Sequence, residues 1–150
     1  MGDAAWNEFV TATLMTHCCG GSILDMRDGR VWGSSEEFGP RTYTAEIVTE
    51  AGDDVSERVN ECDIMASLGR GTKHAHGLRF DAQKYMIVRF GADDDGGTLC
   101  YGKKSRGGCC VATGAQTVVF GAFDENLGQS AGNANIAVEK CAAYLRSVGY

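Results

Sequence analysis

Stripes of apolar residues at helical spacing mark both ends of the chain. Near the beginning, apolar positions recur every three or four residues behind Asp3, a good helix cap, and predict a helix that runs to about Met15. Near the end, a second stripe predicts a helix from about Gly132 to Ser147, with Gly149 as its stop signal. The stripe positions are Trp6, Phe9, Val10, Thr13 and Leu14 in the first helix and Ala134, Val138, Cys141, Leu145 and Val148 in the second.

Short apolar runs separated by turn residues predict β-strands elsewhere. Asp28-Gly29 separates a run at 22–26 from a run at 31–33, which is typical of a hairpin. From residue 78 onward, five such runs alternate with turn residues, so we expect antiparallel strands and a fold of the α+β class. These runs are Leu78–Phe80, Lys84–Phe90, Thr98–Gly102, Cys109–Thr113 and Thr117–Phe123.

The segment between the first hairpin and residue 78 has the least regular pattern. Residues from Thr44 to about Gly52 look helical, with Thr44 as the cap. Residues 53–68 predict a further, acidic helix, and 69–76 predict a loop. The apolar face of the acidic helix would consist of Val55, Val59, Cys62 and Met65.

Length and composition bound the class of protein. A chain of 150 residues with 43% apolar residues fits one domain, residues 1–150, with a core of its own. No apolar run approaches the ~18 residues of a membrane span, and the first 25 residues lack the basic start of a secretory signal. Seven cysteines, an odd number that includes two adjacent pairs, favour reduced thiols in a cytoplasmic protein.

Charge is unevenly distributed along the chain. The net charge is −6, but residues 70–106 hold eight basic and four acidic residues, a local net charge of +4. An acidic total argues against a protein that binds nucleic acid. The basic middle of the chain suits an acidic partner or a lipid head group.

Two short motifs could carry chemistry, and each departs from its pattern. Gly128–Gly132 has the spacing of a nucleophile elbow around Ser130, but that fold places its histidine after the serine, and all three histidines here precede it. Gly97–Lys104 resembles a phosphate-binding loop, but Lys104 stands where Ser or Thr should bind magnesium. The chain also lacks a Cys-x-x-Cys pair. We therefore expect that the protein is not an enzyme and holds no cofactor or metal. The alternative is a small serine hydrolase that uses Ser130.

Aromatic residues occur at the two ends of the chain and after the first hairpin turn. One interpretation is that they belong to the ordinary core. The other interpretation is that they form a flat aromatic groove. Helices from opposite chain ends can pack side by side on one sheet face, and the aromatic residues would then lie between them. Such a groove suits polyproline, a preformed helix that loses little entropy on binding.

Several segments occur in an order that resembles the profilin family. Each is a weak signal alone, but together they cover nearly the whole chain except 51–76. The segments are Ala5–Val10, Leu24–Trp32, Gly77–Leu78 with Lys84–Val88, Tyr101–Gly108, Val119–Glu125 and Gly132–Leu145. The resemblance implies an antiparallel sheet with the N- and C-terminal helices on one face and smaller helices on the other.

The resemblance also implies a function and a set of partners. It implies a monomeric cytoplasmic and cytoskeletal protein that binds monomeric actin, proline-rich ligands such as formins, and phosphoinositide head groups. Such a protein regulates actin polymerisation and nucleotide exchange on actin. The alternative is a phosphoinositide-binding module without an actin role, which would not need the aromatic residues.

Carried over by position, the resemblance assigns three sets of residues. The polyproline-binding set is Trp6, Phe9, Trp32, Tyr144 and Tyr150, with Phe9 where the family usually has Tyr. The actin-binding set is Lys84, Met86, Arg89, Lys103, Lys104, Gly132 and Asn135. The phosphoinositide-binding set is Lys103, Lys104 and Arg106.

Residues 51–76 are where the resemblance lapses. Relatives usually cross this part of the fold in fewer residues, so we expect an extra helical or loop insertion. Since lengthening a loop costs little free energy, it is either a tolerated surface insertion or an element that borders the actin-binding face.

Overall fold

Seven antiparallel strands form the central sheet of the computed structural model, which describes residues 3–150. The helices are α1 (Ala4–Leu14), α2 (Glu61–Gly69) and α3 (Ala131–Ser147), with a 3₁₀ turn at Glu125–Leu127. The strands are β1 (Gly20–Asp25), β2 (Val31–Ser34), β3 (Thr42–Val48), β4 (Asp54–Asn60), β5 (Leu78–Phe80), β6 (Gln83–Ala92), β7 (Thr98–Lys104), β8 (Gly107–Thr113) and β9 (Thr117–Asp124). The order across the sheet is β2-β1-β9-β8-β7-β6-β5, and β3 and β4 form a separate hairpin.

Each face of the sheet carries its own hydrophobic core. In β9, Val119 packs with residues of α1 and α3, whereas its neighbours Val118 and Phe120 pack on the opposite face, because side chains alternate along a strand. We call the α1–α3 side the first face and the other side the second face. Helices α1 and α3 lie against the first face and contact each other, and α2 packs on the second. The predicted α+β architecture, with both terminal helices on one face, is confirmed.

The caps of the terminal helices explain where these helices begin. Asp3 caps α1, since its carboxylate accepts a hydrogen bond from the Ala5 N–H at 2.7 Å. Ser130 caps α3, since its hydroxyl accepts the Asn133 N–H at 3.2 Å. Ser130 is therefore a structural cap.

The segment from 42 to 68 differs from the sequence prediction. Residues 44–52 are not helical, because β3 covers Thr42–Val48 and the chain turns at Gly52, whose φ is 87°. Alternate β3 residues are partly buried, which is the period of a strand and not of a helix. The predicted helix over 53–68 is also wrong in its first half: β4 occupies Asp54–Asn60, and α2 begins only at Glu61.

The β3–β4 hairpin therefore replaces the predicted helix over 44–52 and the first half of the predicted helix over 53–68. Tyr43, Ala45 and Ile47 of its inner side pack against the second core, together with the buried Val59 of β4. Of the predicted apolar stripe, Val59 and Met65 are buried, Cys62 is half-buried and Val55 is exposed. That residues 51–76 are an insertion relative to the family stays a prediction.

Candidate functional site

Five aromatic side chains from four parts of the chain meet on the first face. The Trp6 ring lies 5.8 Å from the Phe9 ring, 5.2 Å from Trp32 and 5.4 Å from Tyr150, measured between centroids. The Trp32 and Tyr150 rings are 5.7 Å apart, and the Phe9 and Tyr144 rings are 5.9 Å apart. The structure thus brings together all five residues of the predicted polyproline set. We call them the aromatic groove.

Packing of α1 against β2 places the two tryptophans of the groove. The Asp3 N–H donates to the Trp32 carbonyl at 2.9 Å, and the Asn7 side-chain oxygen accepts the Ser34 N–H at 2.9 Å. Gly33 makes this approach possible, because a Cβ at that position would lie 2.6 Å from the backbone carbon of Trp6. The first turns of α1 therefore cover the outer edge of β2 and set Trp6 against Trp32.

Hydrogen bonds of the Tyr150 main chain fix the position of this residue. The Tyr150 oxygen accepts the Gln116 N–H and the Thr117 hydroxyl, the latter at 3.0 Å, and the Tyr150 N–H donates to the Leu145 carbonyl at 2.8 Å. These bonds follow Gly149, whose φ of 92° turns the chain back after α3. Beside Tyr150, a pocket of about 240 Å³ opens between α1 and α3, lined in part by Leu145 and Val148.

The polar groups of the groove differ in what they can offer a ligand. The Trp32 indole N–H donates to Asp25 at 3.3 Å and is therefore engaged within the protein. Within residues 3–150, the Trp6 indole N–H has no hydrogen-bond partner, and Tyr144 and Tyr150 are about half exposed. The groove thus combines apolar rings with free donors.

Asp25 connects the groove to an arginine and is the acid that the sequence analysis missed. Hydrogen bonds from the Arg27 side chain lower the pKa of Asp25 to about 2, assisted by the Arg27 N–H and the Trp32 indole. The carboxylate accepts Arg27 at 3.0 Å. The sequence placed Asp25 just before the predicted hairpin turn. It contained no sign that the Asp25 carboxylate accepts a hydrogen bond from Trp32.

We expect the ionised Asp25 carboxylate to raise the free energy of unfolding, and we expect this gain to be lost in acid. Its pKa is 3.8 when unperturbed and about 2 in the folded protein, so the ionised form stabilises the fold above about pH 4 and the gain is lost as pH falls toward 2. Urea unfolding of wild type and Asp25→Asn at several pH values measures this. The difference in free energy of unfolding should shrink as pH drops from 5 to ~2, and a constant difference would contradict the assignment.

A second candidate surface, the basic face, lies on the first face of β6 and β7. Lys84 and Met86 leave β6 on the first face, because Tyr85 between them belongs to the second core. Met86 pairs with Lys103, and after an irregularity in β6 Arg89 pairs with Tyr101. The residues of the basic face are Lys84, Met86, Arg89 and Lys103.

Tyr101 ties the basic face to α3. Its hydroxyl donates to the Glu139 carboxylate at 2.7 Å, and the Arg89 guanidinium lies 5.5 Å from the centre of its ring. Burial, together with the bond to Glu139, raises the pKa of Tyr101 to about 12. Neither Tyr101 nor Glu139 was predicted as a site residue, because their pairing depends on how α3 lies on the sheet.

Two residues of the predicted actin set lie in the first half of α3. Asn135 is half-buried one helical turn before Glu139, and its buried side-chain oxygen has no partner within residues 3–150. Gly132 is exposed in the first turn of α3. The structure therefore places four of the seven predicted actin-set residues on the basic face, and Gly132 and Asn135 on the helix that Tyr101 contacts.

Lys104 is the exception. The resemblance placed it on one surface with Lys103, and the structure does not. It follows Lys103 in a strand, so the two side chains leave opposite faces of the sheet. The Lys104 ammonium lies 5.7 Å from the ring centre of Tyr85, on the second face. Arg106 sits in the β7–β8 turn with a φ of 57°. The predicted phosphoinositide set thus does not form one patch on one face.

The cysteines contribute to packing. Cys18, Cys100, Cys109, Cys110 and Cys141 are buried, and none of the seven forms a disulfide in the described structure. Burial raises the pKa of the Cys18 thiol to about 12 and that of the Cys141 thiol to about 11. Buried thiols of this kind act as small apolar groups. Among residues 3–150, no helix has the length and apolar character needed to cross a membrane.

The fold and its aromatic groove define a small α+β binding domain, and comparison with known proteins gives its family. The profilin family model matches residues 4–150. The chain belongs to the profilin family, whose members are non-enzymatic actin-binding proteins.

Relatives and solved structures agree with this assignment. The chain is 31% identical over 157 aligned residues to profilin of Tetrahymena pyriformis, covering 98% of this chain and 99% of the relative. The crystal structure of Acanthamoeba castellanii profilin II matches with a TM-score of 0.68 at 24% identity, over 97% of this chain and 99% of that one. Mouse profilin IIa, in complex with a double repeat from the FH1 domain of mDia1, matches with a TM-score of 0.65 at 19% identity, over 98% and 100% of the two chains.

Proposed function

We propose that this protein binds monomeric actin through the basic face and proline-rich segments through the aromatic groove. It acts in the cytoplasm and cytoskeleton, catalyses no reaction of its own, and regulates actin polymerisation. The observation that carries the proposal is the aromatic groove itself, because four rings from the two chain ends and the Trp32 ring of β2 form an apolar surface with free hydrogen-bond donors.

The chemistry of the groove fits a polyproline helix. Such a helix has no internal hydrogen bonds, so its carbonyls are free to accept from the Trp6 indole and from the hydroxyls of Tyr144 and Tyr150. Its proline rings can pack on the aromatic rings. Phe9 supplies a ring without a hydroxyl, so the bond expected from a tyrosine there is absent. Mouse profilin IIa bound to an FH1 repeat supports a formin-type ligand.

The two surfaces have separate positions, which supports simultaneous binding. The groove lies between α1 and the end of α3, whereas the basic face lies at β6 and β7 and is linked to the middle of α3 through Tyr101 and Glu139. A bound actin monomer can therefore be delivered to a proline-rich partner. Faster nucleotide exchange on actin would follow if the basic face binds an opened actin conformation more tightly, which is a shift of populations.

Two binding assays on the wild-type chain test the proposal. We expect retention on poly-L-proline beads and binding to monomeric actin in solution, and the actin complex should also be retained on the beads. A protein that binds neither would contradict the proposal. Binding to phosphoinositide vesicles alone would instead support the lipid-binding module, for which Lys103, Lys104 and Arg106 provide less support because they do not share a face.

The adjacent lysines of β7 offer a matched pair for the actin surface. Lys103→Glu reverses a charge on the basic face, so we expect it to weaken actin binding by about tenfold or more. Lys104→Glu makes the same chemical change one residue later on the opposite face and should weaken binding at most about threefold. Titration of labelled actin monomer at two salt concentrations measures both. Equal losses in the two variants would contradict the assignment of the surface.

A further inference from the structure

Glu61 is a fully buried carboxylate at a junction of three segments. Its Oε1 atom accepts the Arg41 N–H at 2.7 Å, and its Oε2 atom accepts the Tyr43 hydroxyl at 2.8 Å. Oε2 also accepts the Ala82 N–H at 3.0 Å. The carboxylate, at the start of α2, thus holds the base of the β3–β4 hairpin and the turn between β5 and β6. Two of these donors are main-chain groups, so the junction fixes backbone positions.

The turn that Glu61 holds has an unfavourable backbone. Phe80 pairs with Gln83, so Asp81 and Ala82 form a two-residue turn, and their φ values are 52° and 61°. Turns with both central residues in the left-handed region usually contain Asn or Gly, because a Cβ is disfavoured there. Three contacts compensate: the Glu61 bond to the Ala82 N–H, an ion pair between Arg41 and Asp81 at 3.0 Å, and the Gly39 N–H donated to Asp81 at 3.2 Å.

The same turn sets the start of the basic face. Pairing across it places Arg79 opposite Lys84 and Leu78 opposite Tyr85. Lys84 is two residues beyond Ala82, and Met86 follows on the same side of β6. Met86 also pairs with Lys103 of β7, whereas Lys84 pairs only with Arg79 of β5, so a change in the turn would displace Lys84 in particular.

We propose that Glu61 is a positioning residue for the actin-binding face: by accepting the Ala82 N–H it keeps the β5–β6 turn left-handed and so fixes how Lys84 projects from the first face. This inference rests on the proposed function of the basic face. Glu61 itself is fully buried, so it cannot contact actin directly. Burial raises the pKa of Glu61, while three donors directed at its oxygens favour the charged form.

Three variants separate positioning from general stability. Glu61→Gln replaces one acceptor oxygen by a donor, so we expect actin affinity to fall about tenfold, within the range of coupling between distinct sites. Affinity for poly-L-proline should stay within about twofold, since the groove lies elsewhere. Adding Ala82→Gly to Glu61→Gln should restore most of the actin affinity, because glycine adopts the left-handed turn without the Glu61 bond. Tyr43→Phe, which leaves the Ala82 bond intact, should cost less than about threefold.

Hydrogen exchange at the Ala82 amide is the direct readout of the turn. In Glu61→Gln, measured at a temperature where circular dichroism shows a folded protein, protection at Ala82 should be lost while protection in β8 is kept. Unchanged actin affinity in folded Glu61→Gln would overturn the inference. So would a parallel loss of both affinities that Ala82→Gly does not restore. If Glu61→Gln does not fold, Ala82→Gly alone should bind actin as wild type, whereas Arg41→Ala should lose actin affinity and regain it with Ala82→Gly; absence of that rescue also overturns it.

Failure of this inference and failure of the proposed function give different results. If wild-type protein does not bind actin, the proposed function fails, and Ala82 exchange still shows whether Glu61 holds the turn. If wild type binds actin and Lys103→Glu weakens binding, but Glu61→Gln does not, the proposed function stands and the inference about Glu61 fails.

Discussion

Replacing Trp6 by Ala should remove most of the affinity for polyproline. Trp6 lies within 6 Å of the rings of Phe9, Trp32 and Tyr150, so it contacts three of the other four members of the groove. Truncation of such a central aromatic anchor costs at least ~2 kcal/mol of binding free energy, or about thirtyfold in affinity. Calorimetric titration with a proline-rich peptide measures the loss.

The control for this variant is Glu8→Ala, which changes an exposed residue of the same helix. It should bind the peptide as wild type does, and both variants should bind actin with unchanged affinity. Circular dichroism must show that Trp6→Ala is folded. A folded Trp6→Ala protein that keeps its affinity within about threefold would show that the groove is not the binding site.

Replacing Phe120 by Ala should cause the largest loss of stability. Phe120 is fully buried in the second core, stacked on Phe80 with ring centroids 4.2 Å apart and 5.9 Å from the rings of Phe38 and Tyr85. Removing a ring from such a site costs about 3–5 kcal/mol, because apolar contacts are lost and a cavity remains. That is a large part of the ~5–15 kcal/mol that stabilises a typical domain.

Urea denaturation followed by circular dichroism measures this change. Leu127→Ala is the matched control, since Leu127 is 65% exposed and its truncation should alter the free energy of unfolding by less than about 0.5 kcal/mol. Molecules of Phe120→Ala that remain folded should still bind polyproline, because Phe120 lies on the second face. A loss below about 1 kcal/mol would mean that the second core tolerates the cavity.

The elements that the sequence predicts well are those with strong local signals. The terminal helices have a cap and a long apolar stripe, and the strands after residue 78 are separated by clear turns, so their positions were predicted to within a few residues. Residues 44–60 have no such signal. Ile47 and Val48 are compatible with either element in a short segment, and the pattern becomes a strand only because β4 pairs with it.

The candidate sites also differ in how far the sequence predicts them. The five groove residues could be assigned by position in the chain, and the structure brings them together. Lys104 could have been separated from Lys103 by strand alternation alone, once the strand was recognised. Glu61 could not be found, because its three donors are distant in the sequence: Arg41 and Tyr43 come 20 and 18 residues before it, and Ala82 comes 21 residues after it.

Construction of the groove from both ends of the chain links recognition to synthesis. Phe9 and Tyr144 face each other at 5.9 Å although 135 positions separate them in the chain. A ribosome releases α1 long before α3, so the aromatic surface of α1 has no partner until nearly the whole chain has emerged. A ligand that requires rings from both helices therefore binds chains in which α1 and α3 have both folded. Immobilised polyproline would retain such chains during purification and let nascent or truncated ones pass.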